Sequence, residues 1–429
     1  MQSPSGPGFD DGAHTSLAGF ALLVLATCLG WRWPTLLWLV ALASLAVRPE
    51  GAFDLNVEMG YEWGVQHWLV ALALVATALR HGIRWTVNWP ILALVVTFAL
   101  SLLFGGLHPE LTLGLMLMSL ALLALPFAFT QVQVAPDSRD LCALLIALAP
   151  LLSVAAGAFL GMDGLRDTQP IRLRGATGNA GLFAALAFAG LAVAVHEATR
   201  PGRAWLAWLA VVNLALVILS GSRTAMLASL IFLAVYTFVS FELRKIIRDH
   251  SSHVLIGGCI LGAVIVWYFP ALQDRIWSDG GIKPSGRANL WSFYLDEFLV
   301  SPVFGRGFGS GFKASADWLE FYPTPHNEYL HLLVTGGVVG FVLCMTGIVL
   351  WFYRLLTAAP PHDRRFLLAV GPALAIYAIT DNLLTYPGSL ALFAYLGALL
   401  TWSAAAEPQA TDQRSGKDSV VRPTNRSRA

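Results

Sequence analysis

The sequence predicts an all-α polytopic membrane protein. Two observations predict it. Long apolar runs recur from Leu17 to Leu400, and 56% of the residues are hydrophobic while only 12% are charged. Soluble domains carry about 25% charged residues. Helices are the spanning elements such runs imply, because a helix satisfies its own backbone groups in lipid.

The runs place candidate spans at 16–31, 33–48, 66–80, 89–104, 110–130, 141–160, 180–196, 204–220, 223–241, 253–270, 327–353, 366–381 and 388–404. Only Trp31-Arg32-Trp33 separates the first two, which form either a hairpin or one tilted span. The expectation is about twelve transmembrane helices. The organisation that follows is a tail at 1–15, an N-terminal bundle at 16–270, a large polar loop with an amphipathic helix at 271–325, C-terminal spans at 326–404 and a polar, basic tail at 405–429.

Lysine and arginine orient these spans. Arg80 and Arg84, Arg139, Arg200 and Arg203, Arg244, Lys245 and Arg248, Arg364 and Arg365, and the C-terminal tail fall on one side, expected to be cytoplasmic. Loops 48–66, 105–110, 161–179, the 220–223 junction, 271–325 and 382–387 fall on the other. Total charge is balanced, 27 Lys+Arg against 26 Asp+Glu, which gives no reason to expect a nucleic-acid partner. The first fifteen residues contain no Lys or Arg and do not read as a signal-peptide n-region. The four cysteines, Cys28, Cys142, Cys259 and Cys344, lie far apart in apolar runs and show no zinc spacing.

Chemistry concentrates on the non-cytoplasmic face. Tyr322-Pro-Thr-Pro-His326-Asn-Glu-Tyr-Leu-His331 joins the long polar loop to a span. Pro323 and Pro325 disfavour helix up to that point, which puts His326 near a helix start. It reads either as a general base or as a helix-end cap. His331 is five residues on and faces elsewhere on the helix, so the two do not form a zinc pair.

Arg223, in Ser220-Gly-Ser-Arg223, sits between two spans with almost no loop. Its charge there is costly unless it meets an anion or snorkels to headgroups. Arg287 falls in the first turn of a helix that Ser285 can cap, an unfavourable place for a cation on the helix dipole unless an external anion is near. In that helix Leu290, Phe293, Tyr294 and Phe298 recur at helical spacing. The Ile171-Arg172-Leu173-Arg174 alternation places two arginines on one side of an extended strip, to bind an anion or to pair with Asp163 and Asp167. The glycines of Pro302-Val-Phe-Gly305-Arg306-Gly307-Phe-Gly309 permit close approach of backbone to a ligand.

Several arginines beside one titratable histidine suit transfer from a diphosphate-linked donor. Guanidinium forks grip phosphate oxygens and stabilise the leaving diphosphate, while the histidine accepts a proton from the attacking hydroxyl. This arrangement requires neither metal nor other cofactor.

Pro325-His326-Asn327-Glu328-Tyr329-Leu330 with Gly336-Gly337 and Gly340 resembles the signature of the O-antigen ligase/polymerase superfamily. Gly221-Ser-Arg223, Arg174-Gly-Ala-Thr-Gly-Asn179 and Pro302…Gly305-Arg-Gly307 resemble it too, in order and spacing. Many members have an acidic residue before the glycine pair; this chain has Thr335. The resemblance implies a metal-independent, inverting glycosyltransferase of the GT-C type in the bacterial inner membrane, active at the periplasmic face. It implies an undecaprenyl-diphosphate-linked glycan as donor and lipid A–core as acceptor, the reaction of an O-antigen ligase in lipopolysaccharide biosynthesis.

By position, His326 is the implied base, and Arg223 and Arg287 contact the diphosphate. Arg172, Arg174, Asn179, Arg306, Asn327 and Tyr329 are expected at the substrate. A polymerase of repeat units and a protein O-oligosaccharyltransferase are the alternatives within the superfamily. From another class, a transporter of lipid-linked sugar or solute would place its polar residues at midplane on broken helices.

Overall fold

The computed structural model describes residues 28, 33–47, 65–83, 86–104, 111–132, 136–159, 172–249, 251–278, 281–282, 287–311 and 325–405. The expected span 16–31 apart from Cys28, residues 1–15 and 406–429, Ser285, Asp163, Asp167 and Tyr322 to Thr324 lie outside them.

Among the described residues the chain is helical, apart from one minimal hairpin. The helices are α1 (Pro34–Ala46), α2 (Val65–His81), α3 (Trp89–Phe104), α4 (Leu113–Ala128), α5 (Pro136–Phe159), α6 (Ala180–Ala198), α7 (Leu206–Leu219), α8 (Arg223–Val239), α9 (Phe241–Asp249), α10 (Ser251–Ile276), α11 (Arg287–Val300), α12 (Glu328–Ala358), α13 (Pro361–Thr380) and α14 (Pro387–Ala405). Four segments are long and apolar enough to cross a membrane: Leu113–Gln131, Arg139–Phe159, Ala180–Ala198 and Glu328–Ala358. Helices α8 and α9, bent by 94°, make a fifth if they count as one span. Shorter apolar helices accompany them, including Trp89–Phe104 and Leu206–Leu219.

Local chemistry sets the helix starts. Asn179, Ser222 and Asn327 cap α6, α8 and α12 by accepting from backbone N–H groups of the first turn. Pro361 opens α13, where its missing N–H costs nothing. Helix α6 is the core of the bundle. Its run of alanines with Gly190 lets neighbours approach closely, and it is buried nearly throughout. Gly190 faces Pro150 of α5 and Asn213 of α7, and Asn213 donates to the Ala147 carbonyl at 2.9 Å.

Helix α12 is broken at Gly337 (φ 61°, ψ −166°). In an unbroken helix the N–H groups of Val338 and Val339 would bond the carbonyls of Val334 and Thr335. Here they bond the Pro302 and Val303 carbonyls instead, at 2.8 and 3.1 Å. The two carbonyls thereby released accept from Arg306 N–H at 2.8 Å and Gly307 N–H at 3.0 Å. The 302–307 turn is thus spliced into the helix. It corrects one expectation, since Gly305 brings its backbone against α12 rather than against a ligand. An added Cβ at Gly305 would lie 2.5 Å from the nitrogens of Gly336 and Gly337. Gly307 and Gly309 face Met116 and Leu115 of α4.

The loop departs from expectation at its start, while its amphipathic helix forms as expected. Helix α10 continues to Ile276, and β1 (Trp277–Ser278) pairs antiparallel with β2 (Gly281–Ile282). The apolar face of α11 lies on the protein: Leu290 and Tyr294 pack with Leu330 and Val334 of α12. Tyr294 donates to the Gly311 carbonyl at 2.9 Å.

The splice makes two glycines inequivalent. An added Cβ at Gly337 would meet backbone, 2.5 Å from Gly305 N, at a φ/ψ that excludes side chains. At Gly340 it would meet the Thr97 side chain, closest at the methyl, also at 2.5 Å. Gly337→Ala is expected to lose folded protein in fluorescence-detected gel filtration, with no rescue by a second change. Gly340→Ala is expected to be rescued by Thr97→Ser, which removes that methyl.

Candidate active site

The site is built on the two residues that end α13. Thr380 closes the helix and Asp381 follows it in extended conformation. Asp381 is 1% exposed. One of its carboxylate oxygens accepts from the Tyr386 hydroxyl at 2.6 Å and the Asn382 backbone N–H at 3.2 Å. It also lies 3.1 Å from Nδ1 of His326. Burial by itself would raise the Asp381 carboxyl. The His326 hydrogen bond, Arg287 and Tyr386 together outweigh burial and hold it below the usual carboxylate range. Burial beside that carboxylate pushes the Tyr386 phenol well above its ordinary value, so it stays a donor.

His326 sits one residue before the Asn327 cap and has φ 49°, the one non-glycine residue with positive φ among those described. Such a conformation costs of order 1–3 kcal/mol and persists only where the surroundings enforce it. Trp291 of α11 donates to the preceding Pro325 carbonyl at 3.0 Å. Asn327 is fixed from the other side by its cap on Leu330 N–H at 3.0 Å. A carboxylate can only accept, so the Asp381 contact puts a proton on Nδ1 and leaves Nε2 as the basic atom of the neutral ring. The His326 side chain is 30% exposed, so solvent or substrate reaches it.

Thr380 brings the arginines in. Arg287, the first residue of α11, donates to the Thr380 carbonyl, and its other Nη lies 3.8 Å from the second Asp381 oxygen. Thr224, next to Arg223, bonds the Thr380 hydroxyl at 2.5 Å. Arg172 donates through Nε to the Ser220 carbonyl at 3.0 Å and lies against Gly221, two residues before Arg223. Gly221 has φ 64°, and its added Cβ would come 2.9 Å from the Tyr268 hydroxyl, so the turn needs glycine there. His326, Asp381, Arg287, the start of α8 and Arg172 therefore converge on one end of α13.

Other expected contacts serve the protein itself. The carboxamide oxygen of Asn179 accepts from Gly181 N–H at 2.7 Å as the α6 cap, beside the Tyr386 hydroxyl. Arg174 does not continue the extended strip; its backbone is αR and starts a 3-10 turn at Gly175. Arg306 pairs with Glu297 of α11. Tyr329 donates to the Ala375 carbonyl of α13 at 2.9 Å. Glu328 is buried, accepts from Leu384 N–H at 2.8 Å and bonds His331, so both residues hold the 381–386 segment rather than face substrate.

Asp381 and Tyr386 are the site residues the sequence reading missed. The available signal was a carboxylate at a helix C-terminus, where the dipole disfavours it and no cation is near in sequence.

No curated protein matches the chain. Residues 205–345 match the family model described as O-antigen ligase. The matched stretch, about a third of the chain, contains Arg223, Arg287, the spliced turn and His326, and over that stretch the chain is similar to the O-antigen ligase family; Thr380, Asp381 and Tyr386 lie outside it.

Proposed function

We propose that the chain is an O-antigen ligase of the bacterial inner membrane, transferring glycan from undecaprenyl diphosphate to a lipid A–core hydroxyl at the periplasmic face. The observation that carries the reading is His326 held by the buried Asp381, with Arg287 and the N-terminus of α8 fixed on the adjoining Thr380. The family match supports lipid-linked glycan chemistry in general.

The step is a single displacement. The acceptor oxygen attacks the anomeric carbon while its proton passes to Nε2 of His326. The carbon–oxygen bond to the diphosphate breaks, and its electron pair leaves on the diphosphate. Asp381 orients the ring and stabilises the imidazolium that forms, the part a carboxylate plays in hydrolytic triads. Arg223 and Arg287, at the starts of α8 and α11, stabilise the departing diphosphate, a charge that two helix N-termini also favour. Attack from the face opposite the leaving group inverts the anomeric centre.

Purified protein given a lipid-linked donor with lipid A–core, free repeat unit or acceptor protein in parallel decides the acceptor. Elongation of the lipid A–core is expected; elongation of either other acceptor replaces the ligase assignment with that alternative. Glycan transfer without solute flux in proteoliposomes excludes transport.

His326→Ala is expected to lower turnover by about 10²–10⁴-fold while donor binding persists. Asp381→Asn should fall in the same range, because the amide no longer dictates the tautomer or stabilises the imidazolium. Loss of donor affinity in place of turnover would make His326 a diphosphate contact. Arg223→Lys and Arg287→Lys should not regain wild-type turnover, since an ammonium cannot replace the fork.

For orientation, Cys28 and Cys259 are exposed and are removed first. Asn289→Cys should then react with a membrane-impermeant thiol reagent in intact spheroplasts. Labelling only after lysis would place the site on the wrong side for the reaction.

A further inference from the structure

A second titratable centre lies at the other end of α13. His196, in the last turn of α6, is fully buried, and its Nε2 is 3.1 Å from Oδ1 of Asp363. His362 presents Nδ1 to the same oxygen at 3.1 Å. One ligand atom from each of the three residues falls within 4.8 Å of the others. Their outer faces are equipped as well. Nδ1 of His196 meets the Tyr236 hydroxyl at 3.1 Å, and Nε2 of His362 meets Thr199 Oγ1 at 2.9 Å. The transfer reaction uses none of these groups.

We infer that His196, His362 and Asp363 form a binding site for a divalent transition ion of the zinc class. Two imidazoles and a carboxylate suit that ion, in a tetrahedron whose fourth position is filled by water. Metal-bound imidazoles commonly bond an oxygen through their remote nitrogen, the role Tyr236 and Thr199 are placed to fill. Facing Asp363, the inner nitrogens carry the protons in the ion-free site; the ion takes their place, with each ring's proton moving to the remote nitrogen.

The surrounding charges permit it. Arg200 bonds Asp363 at 3.0 Å, Arg139 bonds Glu197 at 3.2 Å, and Arg203 bonds Glu197 and Asp140. Three guanidiniums thus face three carboxylates, and no net positive charge repels a dication. A carboxylate offers about four lone-pair positions, enough for both Arg200 and the ion. His362 keeps 27% of its side chain exposed and is the way in. The ion would join α6 to α13, with Tyr236 of α8 bonded to its ligand.

The test uses full-length protein in detergent with the affinity tag cleaved, stripped with EDTA, exposed to ZnCl2 and passed through gel filtration. Metal analysis is expected to show about one zinc per chain, and the thermal midpoint should rise with zinc. His362→Gln, at a partly exposed position, should fold, lose the retained zinc and abolish the zinc-dependent shift. Thr199→Val should weaken zinc binding by about 10–100-fold. No zinc retained by the wild type, or equal zinc in wild type and His362→Gln, overturns the site. Zinc content and thermal midpoint are read without glycan transfer, so either result is independent of the ligase proposal.

Discussion

Everything at the site depends on the exchange of four backbone hydrogen bonds at Gly337. A helix broken among other spans leaves two carbonyls and two N–H groups without partners, and each unsatisfied group in that setting costs several kcal/mol. The 302–307 turn supplies both donors and both acceptors. The break is therefore affordable only while the turn is in place. Since the turn directly follows α11, the exchange fixes that helix against α12. Trp291 then reaches Pro325 from α11 and holds the chain just before His326. The two glycine-bearing motifs, Gly305-Arg-Gly307 and Gly336-Gly337, are the two sides of one contact.

Electrostatics explains why the site is ready for an anion. Arg223 and Arg287 each stand at a helix N-terminus, and Asp381 stands at a helix C-terminus, all three on the unfavourable end of a helix dipole. Arg287 and Asp381 relieve each other. Arg287 lies on the terminal carbonyl of α13, where a cation is favoured, and beside Asp381. What remains is a pair of helix N-termini held together on Thr380, by Thr224 of α8 and Arg287 of α11. In the proposed reaction a diphosphate would occupy that arrangement. A sequence that breaks a local rule three times at one spot is behaving as functional sites do.

The sequence made parts of this legible and hid others for definite reasons. Most helices could be read from apolar run length, which depends only on neighbours in the chain. The dipole and burial arguments picked out Arg223 and Arg287, and the Pro-His boundary picked out His326. Asp381 stayed hidden because its partner is 55 positions away, and an acidic residue at the end of a span reads as an interfacial cap. The spliced turn stayed hidden because its glycines advertise a close approach without naming what approaches. Arg306, Asn179 and Tyr329 were expected at substrate because they lie in the short motifs that carry the family resemblance. The fold instead uses them for an ion pair, a helix cap and a contact with α13.

The position before the glycine pair shows how the fold distributes its chemistry. Thr335 is buried, and its carbonyl accepts from Gly307 N–H within the spliced turn. What the fold asks of residue 335 is therefore a carbonyl, and the side chain is free of that demand. The carboxylate that meets His326 arrives from α13. That helix places an aspartate at each end, about 27 Å apart along its axis. Asp363 lies in the first turn, where the dipole stabilises it, and it organises two histidines and Arg200. Asp381 lies past the last turn, where the dipole opposes it, and it persists because Tyr386, His326 and Arg287 surround it. The same residue type is thus favoured by the helix dipole at one end and opposed by it at the other, where Tyr386, the Asn382 N–H, His326 and Arg287 hold it. Removing those groups leaves Asp381 a buried charge at the wrong end of a dipole, so the integrity of this end and its reactivity rest on the same contacts.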